Sequence, residues 1–203
     1  MKKIIMLLVM MVVIFSDNSE AYLPEKTHPL INDKAVELST VDNYLKSQLG
    51  FNDGKLEFIN GKNVVQWLQK GGTDEDDPSA RGAMHFHDPT KDWSNAGIFG
   101  LFYSSLQWAQ NHSAPTTVGT CTDLGPLGIT CPEPLPDSNP YWSWPAARTN
   151  YYDALTSADS TTRGEKFANT FLVLGHVMHL LADAAVPEHA RNDQHLMLME
   201  EIS

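Results

Sequence analysis

The chain has 203 residues, 42% of them hydrophobic, enough for one domain with a substantial core and too short for two comfortable ones. Its 25 acidic residues against 14 Lys and Arg give a formal charge of −11, which argues against a basic surface gripping nucleic-acid duplexes non-specifically. Neither a Gly-rich phosphate loop nor an internal repeat is present.

Residues 1–21 have the parts of a secretory signal peptide: Lys2-Lys3, an apolar run from Ile4 to Phe15, and a small-x-small cleavage site at Ser19-Glu-Ala21. An apolar run of about a dozen residues is short of the roughly 20 that span a bilayer. Cleavage near Ala21 is therefore favoured over a membrane anchor, and residues 22–203 are expected as the mature, secreted or periplasmic chain.

From His28 to Leu49 the apolar residues recur closer to every 3.6 than to every second position, predicting two short helices that meet near Ser39-Thr40 and stop at Gly50. Val64 to Leu68 predicts a short helix ending at Gly71-Gly72, and a polar stretch from Thr73 to Ala80 leads into Met84-His85-Phe86-His87-Asp88-Pro89. Ser94 to His112 favours another helix. A loop rich in Pro, Gly, Thr and Ser follows to about Pro140, and a loop of that length is usually functional or cross-linked. It holds Cys121 and Cys131, which an oxidising compartment would permit to pair and which otherwise stay free thiols. Two further helices are expected over Trp142–Leu155 and Thr161–Ala185, and no alternating strand stands out. The expected class is all-α, a single helical bundle whose core faces carry ligands inward.

The stretch with the most chemistry is His179-Leu-Leu-Ala-Asp183-Ala-Ala-Val-Pro187-Glu-His189. On a helix His179 and Asp183 share a face, and Pro187 can turn the backbone so that His189 folds back toward them. The plain alternative is a hydrogen-bonded His/Asp pair on a half-buried helix. The apolar surroundings, Phe171, Leu172, Leu174, Met178 and Leu181, favour burial, and buried ionisable groups need strong partners such as a divalent cation. Three other places add ligand types: His28, Asp76 with His85, and His195 beyond His189. Taken singly each has an ordinary reading: a helix-start histidine, a solvated acidic turn at Glu75-Asp76-Asp77, a pair of loop histidines at His85 and His87. His176 shares a face with His179 but lacks its spacing to Asp183 and His189, and His87 is expected to support the loop.

Together these elements resemble the secreted zinc-dependent phospholipase C family, whose fold is shared with the single-strand-specific zinc nucleases. The resemblance rests on Thr27-His28-Pro-Leu-Ile-Asn-Asp-Lys-Ala35, on Glu75-Asp76 followed by His85-Phe-His-Asp88-Pro89, and on Leu174-Gly-His-Val-Met-His179-Leu-Leu-Ala-Asp183 with Pro187-Glu-His189-Ala. It implies a site for two or three zinc ions. His28 corresponds to the histidine of the first helix, and Asp76 to the aspartate that lies near the metals and acts as a base. His85 and His179 would hold one zinc, Asp183 would bridge it to another, and His189 would begin a third site with His195. Two departures stand out. Tyr22 occupies the expected mature start in place of the usual tryptophan and lies close to His28; position 199 is Met where the family carries Glu. Either the chain is a shortened or truncated member, or one zinc is under-ligated, with Glu200 or Glu201 as substitutes.

The implied activity is phosphodiester hydrolysis by a metal-activated water with Asp76 as base, on a phospholipid headgroup during transient contact with a membrane surface. Cleavage of single-stranded nucleic acid is the alternative substrate reading, and an exported zinc-binding protein without catalysis is the third. No protein partner is indicated.

Overall fold

The computed structural model describes residues 24–77, 79–100, 102–111 and 138–191. The segment expected as a signal peptide (1–21), Tyr22, the two cysteines, His195 and the segment at 199–201 lie outside them. The architecture is all-α, as the 3.6-residue patterning requires. Helices run over Pro24–Leu38 (α1), Val41–Leu49 (α2), Val64–Asp74 (α3), Ser105–Ala109 (α4), Trp144–Thr156 (α5), Ser160–Asp183 (α6) and Pro187–Ala190 (α7). No described helix is long and apolar enough to cross a membrane.

Helices α1 and α2 meet at Ser39-Thr40, and Gly50 closes α2 in the left-handed conformation with φ +69°. This stop needs the freedom that glycine has at positive φ. Helix α6 starts where Asp159 accepts the Thr162 amide proton at 2.7 Å, which satisfies one of the orphan donors of a helix N-terminus.

Three expectations are corrected. The chain contains a minimal antiparallel hairpin, Phe58–Ile59 (β1) with Lys62–Asn63 (β2), in the register Phe58 to Asn63 and Ile59 to Lys62. Its turn is Asn60-Gly61 with both φ positive, 48° and 94°, the pairing that a two-residue hairpin turn requires. Helix α3 does not end at Gly71-Gly72 but runs through them to Asp74. The helix expected over Ser94–His112 is broken into 3-10 turns at Trp93–Asn95 and Ile98–Gly100 before the short α4. Phe99 and Gly100 at positive φ interrupt it, and Ser104 restarts it with a capping box to Gln107.

The core explains why α3 tolerates its glycines. Helix α6 packs on α3 and on α5, and α1 packs on α3. A Cβ on Gly71 would collide with the carbonyl of Leu172 on α6, and one on Gly175 with the carbonyl of Leu68 on α3. The two helices thus approach backbone to backbone, a contact in which any side chain costs more than the propensity penalty of about 1 kcal/mol for a helical glycine. Asn32 on α1 is fully buried and its Nδ2 donates to the Leu68 carbonyl at 2.8 Å, tying the third helix to this seam.

On one side of the seam lies the apolar core, with Phe51, Leu68, Phe167 and Phe171 among its members. The other side of the same helices carries the polar groups described next.

Candidate metal centre

Helix α6 contributes three buried ionisable side chains, His176, His179 and Asp183. His179 and Asp183, four residues apart, face the same way, with Nε2 of His179 at 3.2 Å from Oδ2 of Asp183. The His179 ring is held from behind: its Nδ1 lies 2.7 Å from the Gly72 carbonyl. That oxygen belongs to the last turn of α3, where carbonyls lack helical partners. A carbonyl only accepts, so Nδ1 carries the proton and the Nε2 lone pair points at Asp183, the orientation a ligating imidazole needs. The close Gly71/Gly175 seam is what brings Gly72 to His179.

The remaining groups arrive from three other segments. Helix α1 presents His28, stacked on the His179 ring at 3.5 Å between centroids, with its Nε2 3.3 Å from Asp183 Oδ1. The 3-10 turn Ser79–Met84 delivers His85, whose Nδ1 is 2.9 Å from Asp183 Oδ2. Asp76, just past α3, has Oδ1 at 3.6 Å from both His85 Nδ1 and His179 Nε2. After α6 the chain turns tightly, with the Val186 amide donating to the Asp183 carbonyl at 2.8 Å, and Pro187 opens α7. His189 is thereby returned to Asp183, its Nδ1 3.4 Å from Oδ2. The His87 amide donates to the His189 carbonyl at 3.0 Å, which fastens the His85 segment to α7.

Six of the seven expected ligands, His28, Asp76, His85, His179, Asp183 and His189, therefore converge on one place. The seventh, His195, lies outside the described residues. His87 ties its loop to the site through its backbone amide, while its Nδ1 is buried without a hydrogen-bond partner.

The donor set fits a divalent cation. Tetrahedral zinc holds nitrogen and oxygen ligands at about 2.0–2.1 Å, which places neighbouring ligand atoms about 3.3–3.4 Å apart. The separations among Asp76 Oδ1, His85 Nδ1, His179 Nε2 and Asp183 Oδ2 are 2.9, 3.2, 3.6 and 3.6 Å and bracket that value. Asp183 Oδ2 is buried with imidazole nitrogens around it, yet none is in hydrogen-bonding alignment with it. The nitrogens surround the carboxylate as atoms sharing a common centre do. Two groups of three, His28 with His179 and Asp183, and Asp76 with His85 and His179, can each hold an ion.

Without an ion, the carboxylates and imidazoles of the cluster shift one another strongly. Burial pushes the Asp183 carboxyl up, but its contacts with His179, His189 and His85 outweigh this and hold it well below the usual carboxylate range. Burial, followed by the charge of His179, pushes His28 down to about 4, so it is a neutral imidazole near pH 7. For His85 burial works downward, and the Asp183 and Glu75 carboxylates reverse it and raise the ring well above its ordinary value. Burial raises the Asp76 carboxyl against the pull of His179 and His85.

One group escaped the sequence reading. Glu75 is not part of a solvated acidic turn; its side chain is wholly buried. Its Oε2 accepts from Arg81 and from His176 Nδ1, each at 2.6 Å, and its Oε1 from Trp108 Nε1 at 2.9 Å. Arg81 lies 4.4 Å over the Trp142 ring and 5.0 Å over that of Trp108, and Trp142 stacks on His176. His176, four residues before Leu180 and on the Glu75 side of α6, thus serves this network and not the metal cluster. The usable signal was the i, i+6 pairing of a Glu and an Arg across a turn that also carries ligands.

Comparison of the chain with protein-family models, curated proteins and solved structures found no match.

Proposed function

We propose that this chain is a zinc-dependent phosphodiester hydrolase that cleaves phospholipid headgroups in the manner of the secreted phospholipases C, and that two or three zinc ions occupy the His/Asp cluster. The observation that supports it is the convergence of His28, Asp76, His85, His179 and His189 around the single carboxylate of Asp183, at separations of 2.9–3.6 Å that suit imidazole and carboxylate ligands of zinc.

Asp76, His85, His179 and Asp183 would hold one ion, His28 and the other Asp183 oxygen a second, and His189 would begin a third. Bound zinc supplies positive charge for the phosphoryl oxygens and a water whose pKa is lowered toward about 7. The chain's own contribution is placement and proton handling. Asp183, the shared anion, fixes the imidazoles around it. Asp76 is the ligand with the most exposed carboxylate, its side chain 24% accessible against 5% for Asp183. It is thus the group that can meet substrate and solvent. Its carboxylate lies beside the imidazoles of His85 and His179, within reach of a water held at the same place. As water attacks phosphorus, one water proton passes to an Asp76 carboxylate oxygen, the new P–O bond forms, and the P–O bond to diacylglycerol breaks. The departing alkoxide takes the proton back from Asp76, directly or through a solvent water, which restores the carboxylate and yields the alcohol and a phosphorylated headgroup.

The purified chain, supplied with zinc, is expected to hydrolyse a chromogenic phosphocholine ester. His179→Ala should lose zinc and activity together, and Asp76→Asn should lower kcat by about 10²- to 10⁴-fold, the range of a positioned acid-base group. Hydrolysis of single-stranded DNA alone would make the chain a nuclease. Retained zinc with no hydrolysis of any phosphodiester would leave a binding protein.

A further inference from the structure

A carboxylate has about four acceptor positions. On Glu75 three are taken, two at Oε2 by Arg81 and His176 and one at Oε1 by Trp108. The fourth lies on Oε1, and 3.8 Å from it is Nε2 of His85. This nitrogen is buried and has no hydrogen-bond partner, while the other nitrogen of the same ring faces Asp183 and Asp76. The separation is about 0.8 Å longer than an ordinary N–H···O bond, and the ring has to turn toward Glu75 to close it. With the opposite tautomer, a lone pair would face the anionic oxygen of Glu75, and a proton would sit on Nδ1 where the ligand atoms meet.

We infer that Glu75 is a positioning residue for the metal centre: its Oε1 takes the Nε2 proton of His85 and so turns the Nδ1 lone pair toward Asp76, His179 and Asp183. Arg81 and His176 fix the Oε2 end of the carboxylate, which leaves Oε1 on the His85 side. A buried ion pair contributes little net stability compared with an apolar replacement, so the network is better explained by the geometry it imposes on its neighbour. His85 is then oriented by a carboxylate as His179 is by the Gly72 carbonyl, and each imidazole of the first ion has its own anchor. The inference rests on the reading of the cluster as a zinc site.

The discriminating variant is Glu75→Gln. Arg81 and His176 both donate toward the Oε2 position, so the glutamine carbonyl takes that place. Its NH2 group then takes the Oε1 place, where the bond from Trp108 is lost and His85 Nε2 must accept, so the His85 proton moves to Nδ1. Zinc affinity of the apoprotein, measured by chelator competition, is expected to fall about 10- to 100-fold, the usual effect of losing a group that orients a ligand. Nitrogen NMR of the histidine rings should report an Nε2-protonated His85 in the zinc-loaded wild-type chain and its loss in the variant, a readout that mere loosening of the fold does not produce. A folded variant with wild-type affinity overturns the inference and leaves the zinc site intact. If Glu75→Gln does not fold, the wild-type spectrum decides alone: a zinc-loaded His85 without a proton on Nε2 overturns it. A wild-type chain that binds no zinc defeats both this inference and the proposed function.

Discussion

Two buried carboxylates lie on either side of His85, and they are treated in opposite ways. Glu75 is wholly buried among an arginine, an indole and a histidine that all donate to it in good geometry. Asp183, equally hidden, is ringed by imidazoles at 2.9–3.4 Å, with its Oδ2 outside every hydrogen bond. The first group has its charge balanced from within the chain, by Arg81. The second collects lone pairs and negative charge, an arrangement with a high cost in a dry interior until a cation balances it. What separates the structural ion network from the candidate metal site in this molecule is therefore the direction of the donors and not the burial or the number of histidines.

The largest expected effect comes from removing the centre of the second group. Asp183→Ala should weaken zinc binding by more than about 100-fold, beyond the range seen when only a supporting hydrogen bond is lost. Zinc at 100 times its Kd should stabilise the wild-type chain against urea by about 2.7 kcal/mol, and a chelator should remove that increment. The Asp183→Ala chain should show no such response. A zinc-dependent midpoint that survives the substitution would place the ion elsewhere.

Breaking the first group should act on the fold itself. Arg81 is buried and supplies the balancing charge for Glu75. Arg81→Ala leaves a carboxylate in the interior without its cation, a change that costs about 3–5 kcal/mol. Urea unfolding in the presence of a chelator measures it without interference from zinc. An effect under 1 kcal/mol would mean that water reaches Glu75 and that the two carboxylates differ less than their surroundings indicate.

Much of this contrast was legible in advance, and the exceptions have identifiable causes. The His179/Asp183 spacing and the turn at Pro187 are local, so the return of His189 followed from helix geometry and the conformational limits of proline. The convergence of His28, Asp76 and His85 on them is long-range, and it came from the family resemblance rather than from periodicity. Helix α3 was cut short because two adjacent glycines ordinarily stop a helix; here they are retained by the backbone contact with α6 that no single-sequence pattern encodes. The Asn60-Gly61 dipeptide is a hairpin-turn signal, but strands of two residues carry no alternation to mark them as strands. Glu75 was missed for a different reason. Acidic residues flanked by acidic residues usually face solvent, and only Arg81, Trp108 and His176, brought in from other segments, make its burial affordable.

The smallest effect sharpens the comparison most, because it separates holding Glu75 from using it. Trp108→Phe keeps a ring against Met84, Tyr103 and Leu180 but deletes the indole donor to Oε1. Losing a hydrogen bond to a charged acceptor costs about 1.5–3 kcal/mol, somewhat less where another donor is at hand. Such a donor is present, for His85 Nε2 lies 3.8 Å from the same oxygen. The stability loss, read by urea unfolding with chelator present, should therefore fall at the lower end of that range, and zinc affinity should stay within about threefold of wild type. A drop in affinity as large as that of Glu75→Gln would mean that the position of Glu75, set by all three donors at once, matters more than the identity of its Oε1 atom, and the indole would then belong to the machinery that aims His85.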